Sequence, residues 1–295
     1  MITENLLYVK FAFLQRRILY SLQAIPSILV KIIRKGLTDV IDYSVLDNPL
    51  LLQNIFYPYP EVTPCPPGAV DIFVPVEKNV SISCRFYAED KSWPNILYFH
   101  GNGELVGDYD GIAPYYNEKG LNIMVVDYRG YGASGGFPKF TSMISDAHSV
   151  FGEFKKILLR QGYEGGLWVM GRSLGSASAL DLAYHCQDQI KGLIIESGFP
   201  SFGRLLKRKG IVPPGTSLDA FNDACLARLG KIYLPALVMH GQYDSLVPLQ
   251  EAQDLFDGLG SPAKKMIIIP DADHNTTMMI GFDLYFGYIN EFIES

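Results

Sequence analysis

Five consecutive residues carry the pattern of a reactive serine, because Gly171-Arg172-Ser173-Leu174-Gly175 matches G-x-S-x-G. An apolar run at 167–170 precedes the pattern, and small residues that fit the start of a helix follow it. On a strained strand-to-helix turn, side chains beside the serine would collide with the adjoining elements, so the chemistry requires glycine there. The bare pattern also occurs by chance in turns rich in glycine and serine, so the context must decide. Ser173 is therefore a candidate nucleophile.

Two later segments supply the partners that such a serine needs. A serine hydroxyl is a poor nucleophile at neutral pH, so it needs a base, and the base needs an acid that fixes its tautomer and stabilises its cation. His274 follows the last predicted strand, and Asp244 follows the strand before it. Glu196, after an earlier strand, is the alternative acid. We predict that Ser173, Asp244 and His274 act together, in the chain order serine, acid, histidine.

Backbone N–H groups near the serine are candidates for binding a developing oxyanion. Each preorganised donor of this kind contributes roughly 10²- to 10³-fold in rate. Leu174 follows the serine at the predicted start of a helix. The second donor is expected in the loop that contains Asn102 and Gly103, and we favour Asn102 over Gly103.

Alternating strands and helices must position these residues. A predicted antiparallel hairpin at 70–76 and 80–87 opens the folded region, and apolar runs and helical patterns then alternate to the end of the chain. The predicted later strands are 96–99, 123–126, 167–170, 192–195, 236–239 and 266–269, and the predicted helices are 109–119, 141–159, 174–186, 249–259 and 277–293. We expect an α/β fold with a mainly parallel central sheet flanked by helices, and with the chemistry in the loops at the carboxyl ends of its strands.

The 295 residues, of which 48% are hydrophobic, are enough for one large core. We predict a helical extension that is apolar and basic over 1–45, a proline-rich linker over 46–69, and one domain over 70–295 with a short cap insertion at about 199–220. Four basic residues of the insertion form either a solvated helix face or a basic rim that attracts an anionic head group or a membrane surface. These residues are Arg204, Lys207, Arg208 and Lys209.

The net charge of −6 is unevenly distributed along the chain. Residues 1–35 hold six basic residues and one acidic residue, which is +5, and this leaves 19 basic and 30 acidic residues, or −11, in the remainder. An apolar, basic leader at 5–35 is typical of an amphipathic helix at a membrane interface, of an arm packed on the body or a second subunit, or of an uncleaved signal anchor. The acidic body argues against nucleic-acid binding.

The four cysteines are dispersed and form no Cys-x-x-Cys or Cys/His cluster, so no zinc site or redox motif is indicated. We expect reduced thiols in a cytoplasmic protein, with peripheral membrane contact through residues 5–35 as a further expectation. No metal and no cofactor are expected, because the serine, its base and the N–H donors already supply what acyl transfer needs.

Five motifs occur in the order of a known family. They are His-Gly-Asn-Gly at 100–103, Asp-Tyr-Arg-Gly-Tyr-Gly-Ala-Ser-Gly-Gly at 127–136, Gly-Arg-Ser-Leu-Gly-Ser at 171–176, His-Gly-Gln-Tyr-Asp at 240–244 and Asp-His-Asn at 273–275. On these motifs, residues 70–295 resemble α/β-hydrolase-fold serine hydrolases of the BEM46-like, α/β-hydrolase-domain-containing group. The resemblance implies a lipid, ester or thioester hydrolase. One departure is Asp271-Ala272-Asp273 where that group usually shows Gly-Ala-Gly, which places two additional carboxylates beside the base.

The leading interpretation is a cofactor-independent serine hydrolase of a small-molecule carboxylic ester or thioester with a lipid-like acyl group, acting through an acyl-enzyme. A peptidase or an acyltransferase that uses the same three residues is an alternative, because a fold alone does not choose the chemistry. A non-catalytic binding protein that retains the fold is a further alternative. The presence of the serine, the acid, the base and both glycines argues against it.

Overall fold

The computed structural model describes residues 41–295, and within them eight strands form a single sheet in the order β1-β2-β4-β3-β5-β6-β7-β8. The strands β1 and β2 pair antiparallel, as do β2 and β4, whereas every other neighbouring pair is parallel. The prediction of a mainly parallel sheet opened by a hairpin is confirmed. The strands are β1 (Ala69–Glu77), β2 (Val80–Tyr87), β3 (Asn95–Phe99), β4 (Asn122–Val126), β5 (Leu167–Arg172), β6 (Gly192–Glu196), β7 (Ala236–Gly241) and β8 (Lys264–Ile269).

Helices connect the strands and cover the sheet. The central strands β3, β4, β6 and β7 are buried along their whole length, as expected when helices pack on both faces of a parallel sheet. The helices are α1 (Pro49–Ile55), α2 (Ala113–Glu118), α3 (Phe140–Gln161), α4 (Ser176–Cys186), α5 (Phe202–Lys209), α6 (Asp219–Leu229), α7 (Leu249–Gly258), α8 (Thr277–Ile280) and α9 (Phe282–Glu294).

Two predicted helices are shorter than the sequence pattern suggests. The pattern at 109–119 divides into a 3₁₀ turn, Val106–Tyr109, and α2, which has Pro114 in its first turn, where the missing N–H of proline has no effect on the helix. The closing pattern at 277–293 is interrupted at Gly281, where α8 ends and α9 begins. A Cβ at Gly281 would lie 2.4 Å from Ile269 Cγ2, so the break lets the chain pack closely on β8.

The expectation of an irregular chain over 46–69 overlooks α1. The side chain of Asn48 accepts a hydrogen bond from the Leu50 N–H at 2.9 Å, and Pro49 occupies the first helical position, which proline favours. Leu51 and Ile55 of α1 are buried. The leader at 5–35 lies outside the described residues, so the division of the chain into domains stays a prediction. Within residues 41–295 there is no helix with the length and apolar character needed to cross a membrane.

Candidate active site

Ser173 lies on a strained turn between β5 and α4. Its φ is +48°, in the left-handed region that non-glycine residues rarely adopt. A Cβ on Gly175 would lie 2.0 Å from the carbonyl oxygen of Phe99, at the end of β3, and a Cβ on Gly171 would lie 2.5 Å from the carbonyl oxygen of Gly175. Both positions therefore require glycine, for the reason that the sequence pattern suggests. The turn holds the start of α4 against β3 and leaves Ser173 partly exposed.

Side chains from three loops form one hydrogen-bonded chain. His274 Nε2 lies 2.9 Å from Ser173 Oγ, and His274 Nδ1 lies 2.7 Å from Asp244 Oδ2. The other carboxylate oxygen, Asp244 Oδ1, accepts hydrogen bonds from the N–H groups of Leu246 and Val247 at 3.0 and 2.8 Å. Asp244 and His274 are both buried, where hydrogen bonds between polar groups are stronger than in water. The structure thus brings together the serine, acid and base that the sequence predicts.

Glu196, the alternative acid, is hydrogen-bonded elsewhere. Its carboxylate accepts from Thr277 Oγ1 at 2.6 Å and from the Tyr285 O–H at 2.8 Å, and it pairs with Arg172 Nε at 3.3 Å. The carboxylate that contacts His274, through its Nδ1, is that of Asp244. The contacts therefore favour Asp244 over Glu196 as the partner of the histidine.

The loop after β3 brings Asn102 to the serine. Asn102 and Leu174 line the same cavity as Ser173, whereas Gly103 is not among the described residues that line it. The Asn102 side chain is fixed from two sides, because its Oδ1 accepts from the Tyr131 O–H at 2.6 Å and its Nδ2 donates to the last carbonyl of α1. Asn102 thus lies at the cavity, and its backbone N–H as the second donor stays a prediction.

Arg172, the variable residue of the G-x-S-x-G pattern, connects the loops around the serine. Its guanidinium is buried, pairs with Glu104 and Glu196, and donates through Nη2 to the His274 carbonyl at 2.8 Å and to Asn275 Oδ1 at 3.2 Å. Burial lowers the pKa of Arg172, but Glu104 and Glu196 outweigh burial, so that the pKa lies above its ordinary value. The pattern marks this position as variable, and nothing else in the sequence singles it out.

Glu104 orders the loop after β3 through one backbone contact and one side-chain contact. Its Oε2 accepts hydrogen bonds from the Gly101 N–H at 2.7 Å and from the Tyr109 O–H at 2.8 Å. His100 also has a structural role in this loop, since its Nδ1 lies 2.7 Å from the Gly101 carbonyl and its Nε2 lies 3.2 Å from Asp127 Oδ1. Two loops that reach the serine, this one and the histidine loop, are thus both tied to Arg172.

The unusual segment before the histidine has a conformational explanation. Asp271 has φ of +60°, a conformation that glycine adopts without strain and that aspartate tolerates better than most residues. Asp273 Oδ1 accepts from the Asn275 N–H and from Thr276 Oγ1, both at 2.9 Å. Asp271 and Asp273 are exposed, and the Asp273 carboxylate shapes the turn that carries His274.

A cavity of about 360 Å³ opens beside Ser173, within the size range of small-molecule sites. Apolar side chains make up about half of its lining, and several come from the cap helix α5 and the residues around it. These apolar residues are Ile55, Leu174, Phe199, Phe202, Leu205, Leu206, Ile211, Leu246 and Val247. Across the described part of the chain, no group of three or more His, Cys, Asp or Glu side chains is arranged to hold a metal ion.

Known proteins resemble this chain in sequence and in fold. The family described as serine aminopeptidase, S33 matches residues 91–203 and 205–278. Protein bem46 of Schizosaccharomyces pombe is 30% identical over 209 residues, covering 69% of this chain and 68% of the relative. The lysophosphatidylserine lipase ABHD12 of Danio rerio is 30% identical over 220 residues, covering 68% of this chain and 55% of the relative. The Pyrococcus furiosus esterase Pf2001 shares the fold, with a TM-score of 0.64 at 19% identity, covering 80% of this chain and 98% of that chain.

The close approach at Gly175 predicts a large cost for one methyl group. Gly175→Ala should lower the free energy of unfolding by at least about 2 kcal/mol, because the added Cβ has no space beside the Phe99 carbonyl. The matched control is Gly152→Ala in α3, where no atom beyond the adjacent residues and the nearby backbone of the helix itself lies within 4 Å of the added Cβ. It should raise stability by about 0.5–1 kcal/mol through helix propensity. Urea unfolding measures both values, and equal stability of the two variants would contradict the packing argument.

Proposed function

Because the chain belongs to the serine aminopeptidase S33 family of α/β-hydrolases, we propose that it is a serine hydrolase of a carboxylic ester or thioester, acting through an acyl-enzyme. The observation that carries the proposal is the pair of hydrogen bonds that link Ser173 to His274 and His274 to Asp244, beside a cavity whose lining is about half apolar. These three side chains supply a nucleophile, a base and an orienting acid at hydrogen-bonding distances.

In the proposed reaction, Ser173 Oγ attacks the carbonyl carbon of the substrate while His274 Nε2 takes the hydroxyl proton. Asp244 holds the Nδ1–H of the ring and stabilises the imidazolium that forms. The oxyanion of the tetrahedral intermediate accepts hydrogen bonds from the N–H groups of Leu174 and Asn102, with Gly103 as the second choice for the latter. The intermediate collapses as the ester or thioester bond breaks, and the leaving alcohol or thiol takes the proton from His274.

The second half of the reaction repeats the first with water. A water molecule attacks the acyl-enzyme and gives its proton to His274, and a second tetrahedral intermediate forms at the same N–H donors. Its collapse releases the carboxylic acid and returns the proton from His274 to Ser173 Oγ. These steps need only the side chains and backbone groups already described, so the proposed reaction uses no metal and no cofactor.

The lining of the cavity supports an acyl group as the substrate portion bound there, because apolar side chains surround the space next to Ser173. A lysophosphatidylserine lipase among the relatives is in keeping with a lipid-like substrate. The family description also keeps a peptidase as the second candidate. Peripheral membrane contact through residues 5–35 of a cytoplasmic protein remains our proposal for the leader, and it rests on the charge distribution along the sequence.

Three substitutions, assayed on one substrate panel, test the proposal. The panel contains p-nitrophenyl esters of increasing acyl length, the matching thioesters and a peptide anilide. Ser173→Ala should lower kcat on the preferred ester by about 10⁴- to 10⁶-fold, and Asp244→Asn by about 10⁴-fold. Glu196→Gln keeps the shape of a side chain that does not touch the histidine, so it should stay within about tenfold, or about 1.4 kcal/mol of barrier.

The panel separates the alternatives. Ester hydrolysis that survives Ser173→Ala would remove this serine as the nucleophile. A larger loss of kcat for Glu196→Gln than for Asp244→Asn would mean that Glu196, and not Asp244, is the acid. Cleavage of the peptide anilide without cleavage of any ester would contradict the proposed ester hydrolase and favour a peptidase.

A further inference from the structure

The basic residues of the cap insertion are mostly paired with acidic side chains. Arg204 Nε lies 3.1 Å from Glu251 Oε2, Lys207 pairs with Asp219, and Arg208 Nη2 lies 3.8 Å from Glu251 Oε1. The structure therefore does not support a broad basic rim on α5. These three charges are largely balanced, which makes the remaining basic residue of the helix distinct.

Lys209, the last residue of α5, is different from the other three. It is exposed, it has no ion-pair partner among the described residues, and it lines the cavity that contains Ser173. No carboxylate is among the described residues that line this cavity. Arg172 also reaches it, but a partly buried ion pair with Glu104 and a buried one with Glu196 offset the charge of that guanidinium. Lys209 is thus the uncompensated cation of the cavity.

Charge elsewhere in the chain makes this cation more significant. Residues 36–295 hold 19 basic and 30 acidic residues, so the body as a whole repels anions. We propose that Lys209 binds an anionic group, a carboxylate or a phosphate, on the ester that the active site cleaves. This proposal rests on the proposed function and deepens it by naming the charge of the substrate.

The competing role for Lys209 is simple coverage, in which its aliphatic stem packs on the apolar wall and its ammonium stays in water. The two roles differ in what they do to selectivity. A binding cation favours an anionic substrate over a neutral one of the same length, whereas a covering side chain treats both alike.

Selectivity is measured as the ratio of kcat/KM for matched anionic and neutral esters. In the first arm, a mono-p-nitrophenyl ester of a dicarboxylic acid, which keeps one carboxylate, is compared with the uncharged p-nitrophenyl ester of a monocarboxylic acid of the same length. In the second arm, a monoacylglycerol phosphate is compared with the corresponding monoacylglycerol, and the release of fatty acid is measured. The first arm places the anion on the acyl group, and the second places it on the alcohol. The enzymes are the wild type, Lys209→Met, Lys209→Glu and the control Lys207→Met, whose exposed lysine on the same helix is already paired.

Lys209→Met should lower the anionic-to-neutral ratio about fivefold in one arm, which corresponds to about 1 kcal/mol, and Lys209→Glu should lower it further. Lys207→Met should leave the ratio unchanged. Added salt should reduce the ratio of the wild type toward that of Lys209→Met, because screening weakens the attraction. The arm that responds identifies the side of the ester that carries the anion.

An unchanged ratio in both arms for Lys209→Met would overturn the proposal and leave coverage as the role of this lysine. An equal fall for Lys207→Met would also overturn it, since the effect would then come from general charge. Absence of hydrolysis of every ester in the wild type is a separate result, which would contradict the proposed function itself.

A second inference comes from the contacts of Arg172 and is independent of the first. One guanidinium binds the carbonyl of His274 and is paired with Glu104, whose other oxygen holds the Gly101 N–H. We infer that Arg172 is a positioning residue, which keeps the base and the N–H donor at Asn102 aligned on the serine. A displacement of about 1 Å in such groups costs about 10²-fold in rate.

A matched arginine elsewhere makes this inference testable. Arg129 is also largely buried and bridges two carboxylates, with Nε 2.7 Å from Asp146 and Nη1 2.7 Å from Glu77, but it does not line the cavity. Arg172→Met should lower kcat on the preferred ester about 10²-fold with KM within about threefold. Arg172→Lys should recover part of the loss, because an ammonium keeps the charge but lacks the planar fork. Arg129→Met should lower the thermal midpoint and leave kcat within about threefold.

A kcat of Arg172→Met within about threefold of the wild type would overturn the positioning role. So would an equal loss of kcat in Arg129→Met, because the effect would then follow from general destabilisation. If Arg172→Met does not fold, Glu104→Gln provides the test, since it removes the charge but retains an acceptor for the Gly101 N–H. We expect a fall in kcat of about tenfold for Glu104→Gln with KM little changed, and no fall would overturn the inference.

Discussion

The site depends on one close approach, between the start of α4 and the end of β3. The Cβ position of Gly175 lies 2.0 Å from the carbonyl oxygen of Phe99, so only glycine lets the two elements meet. That contact holds the turn in which Ser173 has φ of +48° and its hydroxyl faces His274. Parallel strands end at one edge of a sheet, and the same contact brings the loop after β3 beside the serine. Ser173 and the expected N–H donors are therefore positioned by backbone packing.

Charge is the second constraint, and it acts inside the site. A buried guanidinium requires anionic partners, because an unpaired charge in the interior is strongly destabilising. Arg172 finds those partners in Glu104 and Glu196, which lie on different elements. This pairing explains why Glu196, at a position where a catalytic acid could stand, contacts Arg172, Thr277 and Tyr285. It leaves Asp244, held by two backbone N–H groups, to face the histidine.

Short-range patterns in the sequence were enough to predict most of the fold, and the structure brings Ser173, Asp244 and His274 together as expected. Apolar strands, their order and the glycine spacing of the G-x-S-x-G pattern are local signals, so a single sequence carries them. The helix α1 is overlooked because the prolines that follow it, from Pro58 to Pro67, indicate a loop. The pairing of the cap cations with Glu251 and Asp219 is not predictable from the sequence. Glu251 is distant from these cations in the chain, and no sequence pattern marks Asp219 as a partner. The role of Arg172 is not predictable for the same reason, since its partners come from the loop after β3, from β6 and from the histidine loop.

The central claim is that Ser173 is the nucleophile, and covalent labelling tests it most directly. The protein of 295 residues is treated with a fluorophosphonate probe, and the labelled residue is located by mass spectrometry of the tryptic peptides. Trypsin cleaves after Arg172 and Lys191, so the account predicts a single adduct in the peptide that begins at Ser173 and ends at Lys191. An adduct on a different residue, or no adduct on protein that hydrolyses an ester, would contradict the account.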